Sequence, residues 1–118
     1  MAFPGTYNFN YYRGDTFSFI IRPKDANGNA FSLDSYTSAI FTIANKRGDG
    51  ATYTTTGTAT IDTVNDIVTC TIVSTTGANL DAGTLYYYDV QISNAVPTVT
   101  TLLTGTITPT DDITGATP

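Results

Sequence analysis

Apolar residues return at every second position in short runs, and each run closes on a turn signal. Residues 7–12 form the first run, closed by Arg13-Gly14-Asp15. In 16–23, Phe17, Phe19 and Ile21 share one face while Ser18, Ile20 and Arg22 share the other. The segment 24–29 contains an Asn27-Gly28 step, which supplies the positive φ of a tight hairpin. Residues 37–44 set Ile40 against Phe41 and Ile43, and 45–50 read as a polar, glycine-rich loop. A threonine-rich, weakly patterned strand at 53–61 is expected near a sheet edge. Val64-Asn65-Asp66 turns into 67–73, where Val68, Cys70 and Ile72 form the apolar face.

Residues 74–83 break the period. Ser74 or Thr75 is expected to cap one helical turn ending near Leu80, although the missing Glu leaves the capping box incomplete. In 84–93, Tyr86, Tyr88, Val90 and Ile92 alternate with Tyr87, Asp89 and Gln91. Residues 94–97 turn into a last strand at 98–108, with Val99, Leu103, Gly105 and Ile107 on one face. The tail from 109 to 118 is too polar to pack and is expected to be flexible. About seven strands at ten-residue spacing predict an all-β protein, an immunoglobulin-like antiparallel β-sandwich. Without repeat or linker, 1–118 read as a single domain with its core at about 7–110.

Composition narrows the function more by what is missing than by its averages. The 118 residues include no His, no Trp and no Glu, and Thr makes up roughly a fifth of them. That excludes an all-α fold and removes the commonest general base, so no Ser-His-Asp or Cys-His arrangement is possible. The charge is uneven. Five basic residues face three Asp before Gly48 (net +2), and seven Asp with no base follow (net −7). An acidic chain without a basic stripe is a poor nucleic-acid binder. The first six residues lack a signal peptide's basic start and apolar stretch, and no run approaches membrane-spanning length. A single cysteine rules out an intrachain disulfide, which fits synthesis in a reducing cytoplasm.

Each candidate for chemistry has a plainer structural reading. Cys70 lies on an apolar strand face and reads as a small core residue rather than a nucleophile. Asp62, Asp66, Asp81, Asp111 and Asp112 lack the spacing of a calcium loop and read as turn acids. No two Asp occupy the aromatic, cleft-forming context of a glycosidase pair. No catalytic, cofactor or metal residue is therefore assigned. Arg-Gly-Asp occurs at Arg13 and again at Arg47; the first copy reads as a turn before a strand, the second as an exposed loop. Phe17, Phe19, Tyr86 and Tyr88 fall on inward faces. The residues expected at an interface are Tyr7, Tyr11 and Tyr12 on the first strand, and Arg47, Gly48, Asp49 and Gly50 in the loop. Uncharged threonine faces without Lys lack the usual edge protection and suit an assembly surface.

Several segments resemble one family. Tyr11-Tyr12-Arg13-Gly14-Asp15-Thr16, the 25–28 turn, Phe31-Ser32-Leu33-Asp34-Ser35-Tyr36-Thr37, Ala82-Gly83 with Tyr86-Tyr87-Tyr88-Asp89, and Thr101-Leu102-Leu103-Thr104-Gly105 follow one another in order. Together they resemble the Ig-like domain of bacteriophage virion proteins, as found at the start of the upper baseplate protein family. The likeness spans about residues 7–110. The family's Leu-Thr-Gly-Tyr turn reads Leu33-Asp34-Ser35-Tyr36 here, and one extra residue separates Gly83 from Tyr86. The resemblance implies a non-enzymatic structural protein of a tailed phage, made in the host cytoplasm and residing in the virion. Its partners would be tail, baseplate or capsid subunits, docked in many copies on a symmetric lattice without nucleic acid or membrane. One-domain length adds capsid cement or decoration to the tail and baseplate placements. A glycan- or receptor-binding module for host attachment is the alternative.

Overall fold

Among the described residues, alternating aromatic, β-branched and threonine residues build eight strands, joined by one α-helical and one 3-10 turn. The strands and the α-helical turn are β1 (Gly5–Thr6), β2 (Phe9–Tyr12), β3 (Phe17–Ile21), β4 (Ser38–Ala44), β5 (Thr54–Asp62), β6 (Ile67–Ile72), α1 (Ser74–Gly77), β7 (Tyr86–Ser93) and β8 (Val99–Thr110). The computed structural model describes residues 5–95 and 98–111, with only the backbone of Asp49. Residues 1–4, the Val96-Pro97 part of the expected turn, and the tail from 112 onward lie outside the described residues.

The strands follow the order β1-β8-β7-β4-β5-β6-β3, with β2 also on β8. β5 makes this one curled sheet. Its first half pairs with β4, from Ala44 opposite Thr54 to Phe41 opposite Gly57. Its second half pairs with β6, from Thr58 opposite Thr71 to Asp62 opposite Ile67. The change of partner falls at Gly57, where a Cβ would lie 2.5 Å from the Phe41 ring and 2.6 Å from the Thr71 carbonyl oxygen. Only glycine fits there. Each half of β5 therefore pairs on one side only, as expected of a strand near an edge.

The sheet is mixed, not purely antiparallel. β1 and β2 run parallel to β8, from Gly5 opposite Leu103 to Tyr12 opposite Thr110. The expected single first strand is split because the chain at Tyr7 and Asn8 leans onto β8. The Tyr7 amide donates to the Thr104 carbonyl, and the Asn8 side-chain oxygen accepts from the Thr106 amide, both at 3.0 Å. Gly105 permits this approach, since a Cβ there would sit 1.9 Å from the Tyr7 carbonyl oxygen. The Tyr88 hydroxyl donates to that same oxygen at 2.6 Å.

Three local expectations are corrected. The β7–β8 register shifts between Val90 and Gln91, which face Leu103 and Thr101 and leave Leu102 without a partner. This bulge turns Leu102 inward, so Leu102, Gly105, Ile107 and Pro109 are buried while Val99 is 58% exposed. Pro109 is therefore packed within β8, rather than beginning a loose tail. Neither Ser74 nor Thr75 caps α1; Val73 holds the N-cap without a side-chain bond.

Between the two arms of the curl lies the core: Phe41, Ile43, Val68, Cys70, Ile72, Tyr88, Val90, Ile92 and Ile107 are buried there. Phe19 contributes an aromatic bridge, its ring 5.5 Å from Phe41 and 6.1 Å from Tyr88. Gly57→Ala forces a methyl into the Phe41 ring and is expected to cost about 1–3 kcal/mol by urea unfolding; an unchanged midpoint would contradict the crossing described here.

Candidate functional site

The two Arg-Gly-Asp copies do different things. In the first, Gly14 adopts φ +85° and the Asp15 amide bonds the Tyr12 carbonyl, closing a turn before β3. Arg13 is thereby aimed at the segment after α1. Its guanidinium donates to the carbonyls of Leu80 and Ala78 and pairs with Asp111 at 2.6 Å. Carbonyls just beyond a helical turn need donors, and the planar guanidinium serves two at once. This Arg13 is a structural clamp joining the first strand, the α1 segment and the end of β8.

The expected tyrosine interface separates. Tyr11 is 2% exposed, so it is removed from the interface set. Its ring packs on Gly77, where any Cβ would collide with the phenol, and its hydroxyl donates to the Asp15 carbonyl. Burial, then the charge of Asp15, raises its pKa. Tyr12 and Tyr7 remain accessible, at 56% and 42%. Tyr7 lines a shallow apolar groove of about 400 Å³ with Phe19, Ile20, Ile21, Arg22 and Leu103.

The loop carrying the second copy lines a different groove, of about 320 Å³, on the outer face of β4 and β7. Asn45 shapes this loop: its side-chain oxygen accepts from the amides of Thr52 and Tyr53 while its nitrogen donates to Thr52 Oγ1. Gly48 supplies φ +71° for the 3-10 turn Gly48–Gly50, and Lys46 lies against Gly50. Arg47 folds back over Tyr87, with its guanidinium carbon 5.1 Å from the ring centroid. Asp89, two residues along β7, lies between Thr42 and Thr104 on the neighbouring strands. The structure thus brings Arg47 and Gly48 together with Tyr87, Asp89 and Lys46, three residues outside the expected interface set. The outward phase of β7 at Tyr87 and Asp89 was the available signal.

Desolvation raises the Asp89 pKa, and Arg47 only partly offsets it. Ionising Asp89 thus costs more in the folded chain than in water, and carboxylates perturbed in this way cluster at functional sites. Two of the turn acids have structural partners. Asp62 accepts from the amides of Val64 and Asn65 and from the Asn65 side chain, which lowers its pKa. Asp66, at φ 53°, accepts the Leu33 amide at 3.0 Å. Burial pushes the Cys70 thiol up to about 12, so a thiolate is scarce at neutral pH. Among the described residues no group of three His, Cys, Asp or Glu side chains could hold a metal ion, and no helix is long and apolar enough to cross a membrane.

No protein-family model matches the chain, and no curated protein matches it either.

A raised carboxylate pKa contributes stability that is fully present below the unfolded value of 3.8 and is lost as pH rises through the folded value. Asp89→Asn is therefore expected to raise the thermal midpoint at pH 7 and to lose that advantage as pH falls below 3.8. A lower midpoint at pH 7 would contradict the desolvation account.

Proposed function

We propose that the chain is a non-enzymatic, immunoglobulin-like structural module of a tailed-phage particle, acting by multivalent protein–protein docking. The observation that carries the fold half of this reading is Tyr86. It opens β7, and its hydroxyl accepts the backbone amide of Asp81 at 2.8 Å, five residues upstream. This contact resembles the tyrosine corner of immunoglobulin-like sandwiches, where the sixth strand begins. The pairing supports the reading: the two arms of the curl, β3 with β6 and β4 with β7 and β8, are similar to the two sheets of such sandwiches.

The assembly half rests on surface chemistry and on the sequence resemblance. The outer face of β4, β7 and β8 presents Ile40, Thr42, Gln91, Thr104 and Thr106, with Asp89 its one charged position along those strands. Strands so nearly free of charge suit many modest contacts repeated over a symmetric lattice. Tail, baseplate and capsid-decoration placements all remain within this proposal.

One observation favours a second reading, host-surface attachment through a glycan. The Arg47–Tyr87–Asp89 groove combines an aromatic ring, two cations and a carboxylate, the groups that bind hydroxyl-rich ligands by stacking and hydrogen bonding.

Imaging and mass spectrometry of purified particles test the main reading. The expected result is a regular copy number, hundreds on the head shell for decoration or multiples of three or six at the tail. Absence from particles would overturn it, and saturable binding on a glycan array, lost in Asp89→Asn, would then support the second.

A further inference from the structure

The first strand pairs with β8, and so no described strand covers the outer edge of β3. β3 pairs only with β6 among the described residues and ends the strand order. In an antiparallel edge strand, half of the backbone N–H and C=O groups point away from the one neighbour. Natural proteins protect such edges with Lys, Pro, bulges or a covering loop. Phe17–Ile21 carries none of these within it, and its outward residues are Ser18 and Ile20, the latter 48% exposed. The apolar groove formed with Tyr7 and Leu103 runs alongside.

We propose that this edge pairs with the same edge of a second copy, joining the two sheets across a two-fold axis at Phe19. The register follows from the side-chain phase. A continuous sheet keeps outward residues on one face, so the paired positions must have equal parity. Centring on Phe19 uses all five residues of β3 and sets Ser18 opposite Ile20 of the second copy. It also sets Thr16 opposite Arg22 of the second copy, with Asp15 one position further along. Arg22, Lys24 and Asp15 are exposed, and none has an ion-pair partner among the described residues. The antiparallel arrangement therefore brings the basic end of each strand to the acidic end of the other. This local match matters in a chain of net charge −5, whose long-range repulsion opposes self-association. The inference rests on strand pairing and does not depend on the virion reading.

Sedimentation of the full chain over a concentration series tests it. The expected result is a reversible shift from 12.5 kDa to twice that mass. Ile20→Lys places a protecting cation on an exposed position and should leave a folded monomer throughout; Ser18→Lys should do the same. Thr16→Asp sets a carboxylate directly opposite Arg22 of the second copy and should tighten the dimer about two- to fivefold, while Thr16→Lys should weaken it by as much. A wild-type chain that stays monomeric overturns the proposal, as does a dimer that survives both Lys variants. A Thr16→Asp variant no tighter than wild type overturns the register.

Discussion

The strands Gly5–Thr6 and Phe9–Tyr12 are bound to β8, and most of the remaining architecture depends on that choice. Three features make it: Gly105 has no side chain, the Tyr88 hydroxyl reaches the Tyr7 carbonyl, and Arg13 ties the turn after β2 to Asp111 and the α1 segment. Once β2 lies along β8, Phe9 stacks on Phe17 at 4.7 Å and closes the aromatic end of the core. The same placement converts an antiparallel pattern into a mixed sheet. It also leaves β3 with one neighbour instead of two.

Gly57 sets the other boundary of the curl. A single residue without a side chain lets β5 pass from one arm to the other while Phe41 remains packed beneath it. A short chain with no disulfide has to gain its stability from burial, and this crossing lets one threonine-rich strand serve both arms. The exposed consequences fall at two places: the polar groove around Arg47, Tyr87 and Asp89, and the apolar edge beside Ile20.

Much of this was legible in the sequence because side-chain period in a strand is strict. The inward phase of Tyr86, Tyr88, Val90 and Ile92 is as the alternation predicts, and so are the buried Cys70 and the exposed Ser18–Ile20 face. What failed did so for identifiable physical reasons. The bulge at Leu102 reverses the phase of β8 at one point, and the turn chemistry of Thr and Leu there gives no warning of it. Tyr11 looked exposed because the burial comes from Gly77, far away in sequence. Pro109 reads as tail because the segment it opens is too polar to pack, yet it is buried in β8. Parallel pairing of β2 with β8 leaves no local signature at all, since it joins the two ends of the chain. The charged groove was half visible: its loop was singled out, but its strand partners were not.

Amide hydrogen exchange on dilute protein tests the central claim most directly. With the first strand on β8, the amides of Tyr7 and Arg13, which donate to Thr104 and Thr110, exchange slowly. Alternate amides of Phe17–Ile21 then exchange nearly as fast as in an unfolded chain. Slow exchange throughout Phe17–Ile21 together with rapid exchange at Tyr7 and Arg13 would mean that the first strand covers β3 instead, and would contradict the account.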